Sequence, residues 1–251
     1  MVNIILHGCS GKMGSVVENI VSASTDCKIV AGIDARDSNT SAYPVFKTAI
    51  ECHTDADVII DFSIASAVPA LLDFAKDKKI PVVLCTTGLS PELIEELQVY
   101  SKDVALLKSA NMSLGVNLML SLVKRAAEML YDSNFDIEIV EKHHNQKIDA
   151  PSGTALALAD NINSALDNKM NYTYDRSQTR EKRDIREIGI HAVRGGTIVG
   201  EHDVIFAGKD EILTINHTAM SKEIFAVGAV KAAKFLAGKP AGFYTMENLM
   251  D

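Results

Sequence analysis

Cysteine is sparse and unpaired in the sequence. Cys9, Cys27, Cys52 and Cys85 are widely separated, with no Cys-x-x-Cys pair. That excludes the usual thiolate zinc motifs and disfavours a disulfide framework, so reduced thiols in a cytoplasmic protein are expected. Long apolar runs are also missing: nothing approaches the roughly 18 to 20 residues that span a bilayer. The opening residues MVNIILHGCSG lack the basic head and extended apolar segment of a signal peptide. No membrane association is expected. Basic residues are outnumbered, 25 against 33 acidic, for a formal net charge of −8, whereas a nucleic-acid partner calls for a basic face. Anionic small molecules stay open, because local cations decide those. Internal repeats and low-complexity segments are absent.

The chain's 251 residues, 47% of them apolar, allow one large domain or two modest ones with a substantial core. Residues 2–7, VNIILH, read as a short buried strand. They run into Gly8-Cys9-Ser10-Gly11-Lys12-Met13-Gly14 and then the helical stretch SVVENIVSA. A second β-rich run, KIVAGID, ends at Asp34. Glycines let backbone approach a pyrophosphate, and the following helix start supplies amide donors and a favourable dipole. The spacing is G-x-x-G-x-x-G, a weak signal alone that a plain βα turn could also produce. Asp34 at the end of the second strand, where a carboxylate would accept hydrogen bonds from an adenosine ribose, tips the reading toward a dinucleotide site.

The alternation continues. ADVIIDFS (56–63), IPVVLCTTG (80–88) and VALLKSANMS are strand-like, and SAVPALLDFAKDK and PELIEELQVYSK are helix-like. This implies a parallel sheet with helices on both faces, with ligands beyond the carboxyl ends of the strands. Ser63, Thr86, Thr87, Asn111 and Met112 fall there, as contacts or as simple turn formers. After Asn111 the pattern changes to a long amphipathic helix, GVNLMLSLVKRAAEML, the strand DIEIV (136–140) and a second helix, TALALADNINSALDN. Residues 170–185 are polar without an apolar period and read as a mobile loop. IGIHAV, HDVIFA and EILTINH are β-like, and the final helix KEIFAVGAVKAAKFL stops at Gly238 with Pro240 beyond. The expectation for this block is α+β, with a mixed or antiparallel sheet and helices on one face.

Between these blocks lies EKHHNQKIDAPSGTAL, residues 141–156. A strand ending near Val140 would deliver His143 and His144 to a loop, pointing in different directions, so that one imidazole can serve chemistry while the other binds or orients. Histidine passes protons in either direction near neutrality. Lys147 adds a fixed cation, and Pro151-Ser152-Gly153-Thr154 starts a helix whose free amides suit a carboxylate. Competing readings are weaker. A histidine pair invites a metal, with Asp149 as a third ligand, but ligands at helix spacing are missing; none is expected. Ser152 beside a histidine suggests a hydrolase, yet there is no G-x-S-x-G elbow and Ser152 resembles a helix N-cap. No G-x-x-x-x-G-K-[ST] frame is present. These residues point to a nicotinamide enzyme acting on a small carboxylate.

The His-His-x-x-x-Lys-x-Asp-x-Pro-Ser-Gly-Thr pattern closely resembles the signature of the 4-hydroxy-tetrahydrodipicolinate (dihydrodipicolinate) reductase family. GCSGKMG, CTTG, SANMSLGVN, VRGGTIVGEHDVIF and HTAMSKEIFAVGAVKAAKFLAGKPAGFYTM resemble further family segments in the same order. The resemblance implies hydride transfer from NADH or NADPH to a cyclic unsaturated dicarboxylate in lysine and diaminopimelate biosynthesis. It implies that His143 is the proton donor, that Lys147 holds and polarises the substrate, and that His144, Gly153 and Thr154 bind its carboxylates. Gly8, Cys9, Ser10, Gly11, Lys12, Met13, Asp34, Cys85, Thr86, Thr87, Ser109, Ala110, Asn111 and Met112 match cofactor-contact positions. Cys85 departs from the glycine common in relatives, and Lys222 replaces a common arginine, keeping its charge but losing the bidentate fork.

The implied architecture is α/β: a Rossmann-like, doubly wound dinucleotide domain from 1–112 and 222–251, and a substrate and tetramerisation domain from 113–221. The family forms homotetramers through the sheet of the second domain, and a hinge near Asn111 and Ser221 would close it over the ligands. Asp34 favours a free ribose hydroxyl, whereas Arg36 or Lys12 could reach a 2′-phosphate, so dual coenzyme use with a lean toward NADH is expected. Rival readings are a non-catalytic NAD(P) sensor, which needs no histidine–lysine cluster, and a dehydrogenase sharing only the Rossmann half, which should lack HHNQKIDAPSGT. A family member recruited to another imine substrate is a third.

Overall fold

The computed structural model describes residues 1–36, 42–109 and 111–249. In chain order its elements are β1 (Val2–His7), α1 (Lys12–Ser22), β2 (Cys27–Ile33), β3 (Val45–Phe46), β4 (Val58–Asp61), α2 (Val68–Lys78), β5 (Val82–Leu84), α3 (Pro91–Tyr100) and β6 (Ala105–Lys108). There follow α4 (Leu114–Leu130), β7 (Asp136–His143), α5 (Gly153–Ala165), β8 (Asn171–Thr173), β9 (Glu187–Arg194), β10 (Gly200–Ala207) and β11 (Ile212–Ala219). α6 (Glu223–Leu236) and β12 (Gly242–Tyr244) complete the chain. The chain divides into two compact units, Met1–Ser113 with Glu223–Asp251, and Leu114–Lys222.

The described strands of the first unit form a parallel seven-stranded sheet ordered β12-β6-β5-β4-β1-β2-β3. Chain direction along the sheet reverses at β1, which pairs with β2 on one side and β4 on the other. Both faces are apolar because successive side chains of a strand point to opposite sides. Ile5, Ile59, Val82 and Leu106 pack with Leu71, Leu72 and Phe74 of α2 and Leu93 and Leu97 of α3. The alternate residues Ile4, Leu6, Ile60, Val83 and Leu107 are equally buried, and α6 packs on this sheet beside α1. Local chemistry sets the helix ends: the Ser90 hydroxyl accepts from Leu93 N–H and Pro91 occupies the first turn of α3.

The second unit contains a mixed five-stranded sheet ordered β11-β10-β7-β9-β8. β10 runs antiparallel to β11 and β7, whereas β7–β9 and β8–β9 are parallel. One face is covered by α4 and α5, whose Met119, Val123, Leu158 and Ile162 share a core with Ile137, Ile139, Ile190, Val204 and Phe206. Each such fully buried side chain contributes about 1.5–3 kcal/mol.

Three sequence expectations need correction. The strand expected to stop near Val140 continues to His143, because β9 pairs with it as far as His143–Arg194, so His143 is a strand residue. The segment 170–185 is not a free loop. Asn171–Thr173 forms β8, and Arg183 anchors the rest through Asp136 (2.8 Å), Glu138 (2.9 Å) and the carbonyls of Ile137 and Glu187. Arg176 adds an ion pair with Glu187. Finally, β3 and β12, two and three residues long, add strands to the first sheet that were not anticipated.

In α6, Gly228 lies against the backbone of Met112, and a Cβ there would overlap the Met112 carbonyl oxygen. Gly228→Ala should therefore destabilise the protein by about 1–3 kcal/mol, the cost of overpacking, seen as a lowered thermal midpoint. An unchanged midpoint would contradict this close approach.

Candidate active site

Each unit carries its own constellation. In the first, β1 delivers the chain to Gly8, whose φ of +81° is left-handed and whose Cβ would sit 2.5 Å from the Phe62 carbonyl oxygen. Only glycine fits where the turn crosses the end of β4. Gly8, Cys9, Ser10 and Gly11 form the turn, and Lys12 and Met13 open α1. Gly11 caps α1 without a side-chain hydrogen bond, and its first turn carries no acidic residue, so the amides there suit an anion.

Asp34 directly follows β2. Its carboxylate accepts from Ser10 N–H (3.0 Å), Arg36 N–H (3.0 Å) and the Arg36 guanidinium (3.1 Å to each oxygen). Burial opposes its charge, but the hydrogen bonds from Arg36 and Ser10 prevail and hold the carboxyl below its ordinary value. The acid is thus ionised and tied to the glycine turn.

Beyond the carboxyl ends of β4, β5 and β6 lies a cavity of about 560 Å³. Of the residues singled out from sequence, Met13, Ser63, Cys85, Thr86, Thr87, Ser109, Asn111 and Met112 line it; Ala110 lies outside the described residues. Burial, and then the charge of Asp61, push the Cys85 thiol up, so it is neutral, and its amide donates to the Asp61 carbonyl at 2.9 Å. Lys108 and Phe225 were not anticipated as lining residues. Burial pushes the Lys108 ammonium down. A lysine ending the apolar run VALLK was the available signal.

In the second unit, β7, β9, β10 and the start of α5 converge on Glu141, which is completely buried. Its Oε2 accepts from His143 Nδ1 at 2.6 Å and from Arg194 Nη1 at 2.7 Å. Its Oε1 accepts from Arg194 Nη2 at 2.7 Å and from Ser152 N–H at 2.9 Å. Burial opposes the charge here too, and the bonds from Arg194, His143 and Ser152 outweigh it, holding the carboxyl below its ordinary value. Arg194 also donates to the Asp149 carbonyl at 2.6 Å, which fastens the loop after β7 to the strand end.

Ser152 is the N-cap of α5: its hydroxyl accepts from Ala155 N–H at 3.1 Å and pairs with His202 Nε2 at 3.0 Å. At 2% exposure it is a cap and no accessible nucleophile. His202 meets the His143 ring edge-on, with centroids 5.2 Å apart, and is pushed down to about 4 by burial first and by the neighbouring His143 next, against the opposing charge of Glu141. It is therefore neutral near pH 7. Gly153 and Thr154 are the first helical residues of α5, with open space around Gly153. Lys147 sits in a turn closed on the His144 carbonyl (3.1 Å), and its ammonium pairs with Asp149 at 2.8 Å. His143, Ser152 and α5 are thus brought together, whereas Lys147 is engaged within its own loop. Sequence reading missed Arg194 and His202 and gave Glu141 no role; the separation of Glu141 from His143 by two residues, one face of a strand, was the available clue.

Two family models match the chain: "Dihydrodipicolinate reductase, N-terminus" over residues 2–112 and "Dihydrodipicolinate reductase, C-terminus" over residues 115–250. A 4-hydroxy-tetrahydrodipicolinate reductase of Caldanaerobacter subterraneus subsp. tengcongensis is 53% identical over 100% of this chain and 98% of its own. That of Clostridium novyi is 49% identical with the same coverage. Among solved structures, a dipicolinate-bound dihydrodipicolinate reductase from Paenisporosarcina sp. TG-14 superposes with a TM-score of 0.83 over 99% of each chain, at 23% identity. This last likeness is one of fold.

The burial of His202 has a consequence for stability. Its folded value of about 4 lies below the ordinary 6.5, so the unfolded chain binds the extra proton first as pH falls. Stability from this group is complete above about pH 6.5 and is lost progressively toward pH 4, on the order of 3 kcal/mol in all. Denaturant unfolding at pH 7 and pH 5 should show a smaller difference in His202→Gln than in the parent. Equal differences would contradict a buried neutral His202.

Proposed function

The chain belongs to the dihydrodipicolinate reductase family, and on that premise we propose that it reduces the dihydrodipicolinate formed from 4-hydroxy-tetrahydrodipicolinate to tetrahydrodipicolinate, in lysine and diaminopimelate biosynthesis. The family consists of NAD(P)H-dependent oxidoreductases with a Rossmann-like nucleotide-binding domain. When bound, the reduced nicotinamide supplies the hydride. The residues present suit such a cofactor: uncapped amides at the start of α1, an ionised Asp34 joined to the glycine turn, and a cavity at the strand ends. Gly8 to Met13, Asp34, Cys85 to Thr87 and Ser109 to Met112 are its proposed contacts.

The single observation that carries the proposal on the substrate side is the meeting of His143, at the end of β7, with the start of α5 through Glu141, the loop between them carrying Lys147. A dianionic ring needs amide donors and positive charge, and its reduction needs one proton. His143 donates that proton, and its placement at the end of β7, paired with Arg194 of β9, holds the backbone that carries the ring. Gly153 and Thr154 offer amides, His144 a second imidazole contact, and Lys147 exchanges its Asp149 partner for a substrate carboxylate. The division of labour is that Met1–Ser113 with the tail serves the nucleotide and Leu114–Lys222 serves the substrate. A homotetramer joined through the five-stranded sheet accords with the apolar Val193 and Ile212 exposed on the face away from the helices.

Coenzyme choice turns on Asp34 and Arg36. The carboxylate suits the ribose hydroxyl of NADH, and a 2′-phosphate must draw the Arg36 guanidinium away from it. We therefore expect both coenzymes to work, with higher kcat/KM for NADH. Arg36→Ala should lower efficiency with NADPH more than with NADH. Equal parental efficiencies, or a preference for NADPH, would overturn the lean.

His143→Gln should lower kcat by about 10²-fold or more while NADH binding, followed by nicotinamide fluorescence, stays unchanged. A parental rate would remove His143 as the proton donor. Lys147→Ala should lower kcat and raise the substrate KM together; normal kinetics with reduced thermal stability would mark the lysine as structural.

A further inference from the structure

We propose that Glu141 is the positioning residue for His143: its buried carboxylate fixes the imidazole with Nδ1 protonated and leaves Nε2 as the nitrogen that delivers the proton. The inference rests on the reading of His143 as proton donor and adds to it the group that sets the donor's tautomer and orientation.

Four donor contacts fill the carboxylate. An ionised carboxylate offers about four lone-pair sites and no proton. Arg194 takes one on each oxygen, Ser152 N–H takes a third, and His143 Nδ1 takes the last at 2.6 Å. Because three of these four contacts come from groups that can only donate, Glu141 stays an acceptor, and the nitrogen facing it must carry hydrogen. That arrangement holds in both the imidazolium and the neutral ring. Among the described residues His143 Nε2 has no hydrogen-bond partner, and it lies close over Gly200, where a Cβ would come within 3.1 Å of it, tighter than ordinary contact. So the nitrogen away from Glu141 is uncommitted, while the other is fixed at a strand position paired with Arg194 of β9.

The proton step then balances simply. The Nε2–H bond of the imidazolium breaks as a C–H bond forms on the substrate carbon beside the one that accepts hydride. The ring is left neutral, with Nδ1–H still on Glu141, and regains its proton from water. The edge-on neighbour His202 is neutral, so it does not itself oppose recharging of the ring. An Asp or Glu behind a catalytic histidine, orienting it and stabilising its charged form, is a recurring device; here it is itself held by an arginine and a helix start.

Glu141→Gln tests this sharply. Arg194 and Ser152 N–H are donors and will claim the amide oxygen, turning the NH₂ toward Nδ1. Nδ1 must then accept, which favours the Nε2–H tautomer and opposes the imidazolium. The experiment compares the full chain as parent, Glu141→Gln and Glu141→Asp. Nitrogen-15 NMR of labelled histidines, assigned with His143→Gln, reads the tautomer of the neutral ring, and steady-state kinetics read the rate.

The expected result is Nδ1–H in the parent and Nε2–H in Glu141→Gln, with kcat lowered about 10²-fold and substrate KM little changed. Glu141→Asp should keep Nδ1–H and recover part of the rate. An unchanged tautomer in Glu141→Gln, or kcat within about twofold of the parent, would overturn the proposal. Should Glu141→Gln fail to fold, Glu141→Asp decides: reduced kcat with the Nδ1–H form supports the positioning role, and parental kcat with only lowered stability defeats it. The two layers separate cleanly. A parental rate in His143→Gln removes the proton-donor reading, while the nitrogen signals still report whether Glu141 sets the ring.

Discussion

The second unit is organised around one buried charge. Glu141 is removed from water, which would be prohibitive for an unpaired carboxylate, and it is tolerated because four donor contacts reach it with good geometry. Those donors come from different parts of the fold: Arg194 from the end of β9, Ser152 from the start of α5, and His143 from its own strand. The carboxylate therefore ties together the strand end, the helix start and the loop between them. It also makes the arrangement unforgiving, since loss of one donor leaves charge uncompensated in a dry site. Hydrophobic burial of Ile137, Ile139, Val204 and Phe206 under α4 and α5 makes the platform; the ionic cluster decides where its chemistry points.

The first unit solves a different problem. A parallel sheet buried on both faces leaves its strand ends as the place where backbone polar groups are accessible, and the reversal of direction at β1 opens a crevice there. Gly8 lets the chain turn tightly against the end of β4, and the same turn presents Ser10 N–H to Asp34. On the proposed assignment, dinucleotide binding falls mainly to backbone amides and one carboxylate in the first unit, and substrate chemistry to side chains in the second. At Cys85, what the position contributes to the sheet is its amide hydrogen bond to the Asp61 carbonyl, which any non-proline residue supplies.

Features encoded locally were legible in the sequence. Alternating apolar strands and amphipathic helices, the glycine turn and the cap at Ser152 all depend on near neighbours, and each appears as read. What escaped notice depends on pairing between distant segments. The short strands β3 and β12 contain too few residues for a period and exist because β2 and β6 offer them edges. The stretch 170–185 looked unstructured because its main anchor is Arg183, which finds Asp136 and Glu138 far away in the chain. Arg194 and His202 enter the candidate site only once β9 and β10 flank β7. Likewise His143 was placed in a loop because strand length is set by the partner strand, which polar composition alone does not reveal.

In the proposed reaction one chain supplies both a nucleotide crevice and a proton-donating site for a dianion. The most direct measurement generates the substrate in place, with dihydrodipicolinate synthase, pyruvate and aspartate semialdehyde, and follows the loss of reduced nicotinamide absorbance. The account predicts consumption that requires both this protein and the synthase. No consumption of NADH or NADPH by a folded protein that binds NADH would contradict it.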